Sequence, residues 1–325
     1  MKHDFFNGQE ILITGGTGSL GKTLIRHLLN SYKIKGIRVY SRDEFKQWEM
    51  TNMFAKDFPG ANVSYLLGDV RDAQRLSRAL QGVDIVVNTA AMKQVPACEY
   101  NPIEAVRTNI HGAENVINCS IDAGVKKVLH ISTDKAVYPI NLYGATKTVA
   151  EKLFLHANVY SPGRTIFSCC RYGNVLSSRG SIIPLIQEQA KTGVVTLTHP
   201  DMTRFFIHLP DVADFIFSKL RVMQGEEIFV PKMPTIKIKD LIETLAPECR
   251  QEITGIRQGE KLHETLITAE ESEYVHIHDY DFTIGKHQTG NEKWTYSSDE
   301  NPWQLKLSRV ISDFVFSNIS HIGGQ

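Results

Sequence analysis

The chain has 325 residues, 36 basic and 36 acidic side chains, and a formal net charge of +0. Balanced charge argues against nucleic acid or an anionic membrane as the main partner, and no apolar run approaches the roughly 18–20 residues of a membrane span. The length fits one large domain or two modest ones, and five cysteines without C-x-x-C spacing or a signal peptide lead us to expect a reducing cytoplasm.

Glu10 to Thr14 is a short buried-strand signal that runs into Gly15-Gly16-Thr17-Gly18-Ser19-Leu20-Gly21. A helical pattern follows from Leu20 to Leu29. Gly15, Gly18 and Gly21 give a G-x-x-G-x-x-G spacing between strand and helix. Glycines there allow a tight turn and let backbone N–H groups approach a pyrophosphate at a helix N-terminus. With Thr17, Ser19 and Leu20, they form a candidate dinucleotide cradle.

The second strand, Gly36 to Tyr40, ends in Ser41-Arg42. A free ribose 2′-hydroxyl usually meets an Asp or Glu at such a strand end. Ser41, Arg42 and Lys46 instead suit a 2′-phosphate, which favours NADP over NAD. The alternative is that Arg42 and Lys46 only solvate a helix start, and Asp43 and Glu44 keep NAD in view. Val63 to Leu67 predicts a third strand, followed by Asp69 and Val70. Asp69 either accepts from an adenine amino group or caps the helix starting near Asp72. Asp84 to Asn88 predicts a fourth strand, and the small residues Ala90 and Ala91 after it let a cofactor lie against the backbone. One long helix is predicted from about Pro102 to Ala123.

Lys127 to Ile131 predicts a buried strand that ends in Ser132-Thr133-Asp134-Lys135. Pro139 and Asn141 mark a loop, and Tyr143 opens a helical pattern through Phe154. Tyr143 and Lys147, four apart, share one helix face. A lysine beside a phenol favours the phenolate, so the tyrosine becomes a usable base for an alcohol that gives up hydride. Tyr-x3-Lys alone is common on helix surfaces. An acid and an amine side by side at a strand's C-terminal end, however, sit where open α/β sheets place their chemistry.

Thr165 to Arg171 predicts a sixth strand. Strands alternating with helices imply a Rossmann-type, doubly wound parallel sheet. After Tyr172 the rhythm changes to helix 182–192, a strand and helix over 205–220, strand 227–230 and helix 238–245. We therefore expect a dinucleotide-binding domain over 1–174 plus part of 205–222. A smaller C-terminal α/β substrate domain would take 175–204 and 223–285. The rest, 286–325, predicts an arm and a final helix containing Leu305, Leu307, Val310, Ile311 and Phe314. His276 and His278 alternate on a strand without a carboxylate cluster, so no metal site is expected.

With these residues in place, the sequence resembles the extended short-chain dehydrogenase/reductase superfamily. Within it, the chain is similar to the soluble UDP-N-acetylglucosamine 4,6-dehydratases, especially the C5-inverting kind that opens pseudaminic acid biosynthesis. The resemblance runs from about Asn7 to Ile284. It rests on the glycine loop, Ser41-Arg42-Asp43-Glu44, the run from Ala90 to Pro96, and Ser132-Thr133-Asp134-Lys135-Ala136. It rests further on the run from Pro139 to Lys147, Arg171-Tyr172-Gly173-Asn174-Val175, and Gly259-Glu260-Lys261-Leu262-His263-Glu264. The last of these and the Thr-Asp-Lys triplet are the more specific.

The resemblance implies oxidation at C4 with Tyr143 as base and Lys147 on the ribose, and Thr133 hydrogen-bonded to the reacting oxygen. It also implies Asp134 as acid and Lys135 as C5 base. That needs burial to raise the aspartate, and burial with nearby cations to lower the lysine. Arg257 and Glu260 are candidates for the substrate diphosphate, with Arg179 and Arg204 after them. Asn174 is a candidate for the sugar or a phosphate, and Lys93 either faces substrate or is a solvated loop lysine. A homo-oligomer, dimer or hexamer, is implied only by the resemblance. The competing readings are a C5-retaining dehydratase, a UDP-hexosamine 4-epimerase, which has no use for the Asp134–Lys135 pair, and a non-catalytic NADP-sensing module.

Overall fold

The computed structural model describes residues 5–176, 182–290 and 292–303. Six parallel strands form its centre: β1 (Glu10–Thr14), β2 (Gly36–Ser41), β3 (Val63–Leu67), β4 (Ile85–Asn88), β5 (Lys127–Ile131) and β6 (Ile166–Cys170). They lie in the order β3-β2-β1-β4-β5-β6. Ile228–Pro231 adds to β6 in parallel, and Asp281–Ile284 then Val275–Ile277 finish that edge antiparallel. The winding direction reverses between β1 and β4, so the loops leaving these two strands part and open a crevice.

Covered faces explain why the central strands β1 and β4 are buried at every position rather than alternating. Ile11, Leu12 and Ile13 of β1 are all at 0% exposure, each contributing about 1.5–3 kcal/mol by burial. Helix Ser19–Ser31 lays Leu24, Ile25 and Leu28 on the sheet, and helix Leu209–Val222 packs beside it. The first-half strands fall where the sequence puts them, while an unexpected short helix forms at Val95–Tyr100. The helix expected over Pro102–Ala123 is broken into Pro102–Val106, a π-turn at Arg107–His111, and Gly112–Asp122. The π-turn carries buried Asn109, whose amide binds both the N–H and the carbonyl of Met92 (2.8 and 2.9 Å) and the Thr146 hydroxyl (2.9 Å). The extra residue per turn thus pins the loop after β4 to the helix Leu142–His156.

A second, smaller core gathers Leu176, Ile183, Ile186, Val195, Met202, Phe206, Ile238 and Leu241. The segment expected as one substrate domain divides here. Its residues 182–204 and 235–246 build this core, whereas 228–231 and 275–284 complete the main sheet. The stretch after Gly285 returns as a strand, Tyr296–Ser297, paired with Thr265–Ile267. The final helix predicted around Leu305–Phe314 lies outside the described residues. Among the described residues no helix is long and apolar enough to cross a membrane.

Candidate active site

Two adjoining cavities, of about 690 and 500 Å³, run along the crevice. They share Gly15, Gly18, Ser19, Ala90, Ala91, Lys93 and Gln94 as walls. The glycine turn is shaped for close approach. Gly15 has φ +63, and a Cβ there would meet the Ala90 backbone at 3.0 Å, while a Cβ on Gly21 would strike the Gly16 carbonyl. The larger cavity is lined further by Thr17, Ser41, Arg42, Lys46, Asp69 and Val70. It also holds Lys22, which sequence reasoning passed over although it follows the third glycine of the loop directly.

Charges in this cavity are paired internally. Arg71 binds Asp69 at 2.7 Å and Arg42 stands 3.5 Å from the same oxygen, while Lys46 pairs with Asp43. Burial resists the charge on Asp69, but the Arg71 hydrogen bonds and Arg42 hold its carboxyl below the usual carboxylate range. Among the described residues, the cations Lys22, Arg42 and Lys46 outnumber the acids Asp43 and Asp69 on this wall. An elongated crevice, a backbone-only turn and a basic far end fit a dinucleotide bearing phosphate.

The smaller cavity is lined by Leu20, Gly21, Thr133, Lys135, Tyr143, Lys147 and Asn174. Asn141 caps the helix Leu142–His156 by accepting from the Gly144 N–H (2.7 Å), which aims Tyr143 and Lys147 across the end of β5. Ser132 Oγ on the same wall is buried without a partner among the described residues.

Asp134 stands behind this wall at 0% exposure. Its Oδ1 accepts from Thr133 Oγ1 (2.8 Å) and Lys135 Nζ (3.0 Å), and its Oδ2 has no partner among the described residues. Lys135 Nζ also reaches Asn174 Oδ1 (3.2 Å) and lies 3.7 Å from the Glu264 carboxylate. The expectation that Lys135 is lowered does not hold. Burial does oppose its charge, but Asp134 and Glu264 outweigh both burial and the distant Arg204 and raise it above the ordinary lysine value.

A second expectation changes as well. Burial pushes the Tyr143 phenol up to about 12, and the groups pulling it back are Lys135 and Thr133. Lys147 turns its amine the other way, onto the Ile131 carbonyl (2.6 Å) and His130 Nε2 (2.9 Å).

Among the substrate candidates, Lys93 and Asn174 reach the cavity wall. Arg204 is 6% exposed and donates to the carbonyls of Thr203, Leu262 and Lys261, which makes it a strut for the loop over the site. Glu260 lies 3.5 Å from Arg204, and Arg257 is exposed on the same loop. Neither lines the cavities. Arg179 lies outside the described residues. The loop is tied down by Asn141 Nδ2 on the Gly259 carbonyl (2.8 Å) and Lys261 Nζ on the Val137 carbonyl (2.5 Å). Sequence reasoning passed over Glu264, although Gly-Glu-Lys-Leu-His-Glu was itself a signal. Among the described residues no group of His, Cys, Asp or Glu could hold a metal ion.

Residues 11–285 match the family described as Polysaccharide biosynthesis protein. The chain belongs to that family. It is 46% identical over 332 aligned residues, 95% of this chain and 98% of the relative, to a UDP-N-acetylglucosamine 4,6-dehydratase (inverting) of Campylobacter jejuni. It is also 44% identical over 275 residues, 82% of this chain and 80% of the relative, to a UDP-glucose 4-epimerase of Rickettsia conorii. Among solved structures, Pen from Bacillus thuringiensis superposes with a TM-score of 0.89 at 36% identity, covering 95% of this chain and 99% of that one. The resemblance to extended short-chain dehydrogenase/reductases and the Rossmann-type architecture are thereby secured.

Proposed function

We propose that the protein is an NADP-dependent UDP-N-acetylglucosamine 4,6-dehydratase of the C5-inverting kind. The observation that carries this reading is the Asp134–Lys135 ion pair at the end of β5, with Lys135 opening into the cavity that holds Tyr143. The name and near full-length similarity of the Campylobacter jejuni relative support it.

Gly15, Thr17, Gly18, Ser19, Leu20, Gly21, Ala90, Ala91 and Val70 would hold the cofactor, and Ser41, Arg42 and Lys46 would receive a 2′-phosphate. When bound there, the nicotinamide would supply the hydride chemistry, as acceptor for C4 and donor to C6. Tyr143 removes the C4 hydroxyl proton, and Thr133 hydrogen-bonds the oxygen. The 4-ketone acidifies C5, since loss of that proton gives an enolate. The raised Lys135 becomes a base by first passing a proton to Asp134, 3.0 Å away. The resulting amine takes the C5 proton. Asp134 lies behind the cavity wall, so the proton it took is returned by way of the Thr133 hydroxyl that it hydrogen-bonds (2.8 Å) to the leaving C6 hydroxyl, and water departs. Hydride return at C6 leaves an enolate that takes a solvent proton on the opposite face of C5, Tyr143 releases the proton it gained, and all three residues end in their starting states. Lys93, Asn174 and the loop bearing Arg257 and Glu260 would meet the nucleotide sugar. A cytoplasmic homo-oligomer acting at the entry to pseudaminic acid biosynthesis completes the reading.

The name of the Rickettsia conorii relative sets the competing reading to be tested, 4-epimerisation, in which hydride returns to C4 and no elimination occurs. Incubation with UDP-N-acetylglucosamine in deuterated water, followed by NMR, separates them. A 4-keto-6-deoxy product with deuterium at an inverted C5 is expected. A C4 epimer with no label would overturn the dehydratase assignment, and label with retained C5 would reassign its stereochemistry.

A further inference from the structure

Beneath the smaller cavity a line of buried polar side chains crosses three strands. Thr14, at the end of β1, is 0% exposed, Asn88 on β4 3%, His130 on β5 2% and Lys147 3%. The directions of their hydrogen bonds can be read from the starting end. Thr14 Oγ1 accepts from the N–H groups of Thr89 (3.1 Å) and Ala90 (3.2 Å), so its own proton goes to Asn88 Oδ1 (2.6 Å). The other end of the Asn88 amide is then a donor, and it faces His130 Nδ1 at 2.9 Å. Nδ1 accepts, so the proton of the neutral ring sits on Nε2. Nε2 is 2.9 Å from Lys147 Nζ. An N–H facing that amine needs a lone pair, and only the neutral amine has one. Lys147 in turn donates to the Ile131 carbonyl at 2.6 Å.

We propose that His130 is a positioning residue that docks Lys147 on β5 as the neutral amine, at the end of a one-way chain of hydrogen bonds beginning at the Thr89 and Ala90 amides. The reverse arrangement needs an ammonium donating to Nε2, a proton on Nδ1 and a turned Asn88 amide. Turning that amide leaves the Thr14 hydroxyl proton facing an NH2 group in a dry interior, and an orphaned buried donor is costly. The His130 ring cannot swing aside, because Phe154 stacks on it at 4.3 Å with the planes 13° apart.

The titratable and charged groups around Lys147 agree with this assignment. Glu151 on its own helix would draw it toward the ammonium, but Glu151 is committed to Arg171 at 2.7 Å. Cys169 on β6 and Tyr143 one turn back are both buried and raised, hence neutral. Burial lowers the Lys147 amine to about 8, so the docked neutral form prevails above that pH, and drives His130 well below its ordinary value. Taken with the function proposed above, on which only this last step rests, an amine turned onto the Ile131 carbonyl and His130 explains why Lys147 does not help Tyr143 ionise in the cofactor-free protein.

The test is NMR on full-length, cofactor-free protein carrying 15N-histidine and 13Cε-lysine. The His130 signal is the one lost in His130→Phe or, should that variant not fold, the one altered in Asn88→Asp. It should report the Nε2–H tautomer at about pH 9, where Lys147 is the neutral amine, and should lose it as Lys147 gains its proton below about pH 8. The aspartate still accepts from Thr14, but its second oxygen can only accept, so Asn88→Asp should switch His130 to Nδ1–H. Lys147 should titrate near about 8 in the parent and at least one unit higher in either variant, a tenfold shift in the amine-to-ammonium ratio at fixed pH. An Nδ1–H tautomer in the parent protein at about pH 9, or a Lys147 midpoint that neither variant moves, would overturn the proposal. Turnover of UDP-N-acetylglucosamine is assayed separately, so failure of the enzyme assignment leaves the NMR outcome decisive.

Discussion

Lys135 shows how far a residue's chemistry depends on neighbours remote in sequence. Its position beside Asp134 was legible, because both follow directly from the end of β5. The direction of its pKa shift was not, because Glu264 lies far along the chain and reaches it only through the loop that Arg204 braces. Removing the amine should abolish elimination without disturbing the cofactor cradle, which Lys135 does not touch. Lys135→Ala is therefore expected to lose at least 10²–10⁴-fold in dehydration rate while its NADP affinity stays within about twofold of the parent's. Unchanged turnover of UDP-N-acetylglucosamine would remove Lys135 from the role of base. At the other end of the crevice, Arg42 is about half exposed and only loosely held by Asp69, so it remains able to receive a phosphate. Arg42→Ala should weaken NADP by about tenfold or more and NAD little, measured by titration calorimetry with each cofactor. Equal losses would reverse the cofactor preference.

The helix Leu142–His156 is the element on which the site depends, and its placement was half visible in advance. The Asn141 cap and the Tyr143–Lys147 spacing can be read from the chain. The close packing of its first turn against the turn Asp134–Ala136 cannot, since it depends on a glycine whose role appears only in three dimensions. A Cβ on Gly144 would run into the Lys135 carbonyl, with Pro139 Cβ at 3.1 Å on the other side. Both Tyr143 and Lys135 are attached to the backbone that would have to move. Gly144→Ala should cost about 1–3 kcal/mol by overpacking, read as a lower denaturant midpoint, and should reduce kcat more than it raises KM. Full stability with full activity would mean that the two segments part freely. The π-turn at Arg107–His111 was missed for a related reason. Hydrophobic periodicity describes a helix face but is silent about one extra residue per turn, and Asn109 looks like any polar helix residue until Met92 and Thr146 are seen around it.

The whole molecule is joined across its two halves by a buried ion network that no local pattern announces. Arg171, just past β6, is 2% exposed and holds Glu151 of the helix Leu142–His156 at 2.7 and 3.0 Å. It also grips both oxygens of Glu271 at 2.9 Å and the Leu266 carbonyl at 2.8 Å. Glu271 further closes a capping box with Thr268. The first six strands of the nine-stranded sheet were readable as strands, each from its own short run, though their order came only with the structure. The return of 228–231 and 275–284 to the same sheet was not, since such short strands declare no partner. This network helps to hold them in place by tying the loop before Val275–Ile277 to β6. Its charge gives a pH signature. Burial opposes the charge on Glu271, but Arg171 outweighs it and lowers the carboxyl below its ordinary value of 4.5. A depressed carboxyl contributes stability that is fully present above the unfolded value and is lost as pH falls through the folded one. Glu271→Gln keeps the shape and an acceptor for Thr268 but removes the charge. It should cost about 1.5–3 kcal/mol at pH 7, and the gap to the parent should close as pH drops below about 4.5. Urea unfolding of both proteins across that range decides the matter. A gap of constant size would mean that Glu271 stabilises the junction by packing rather than by its charge on Arg171.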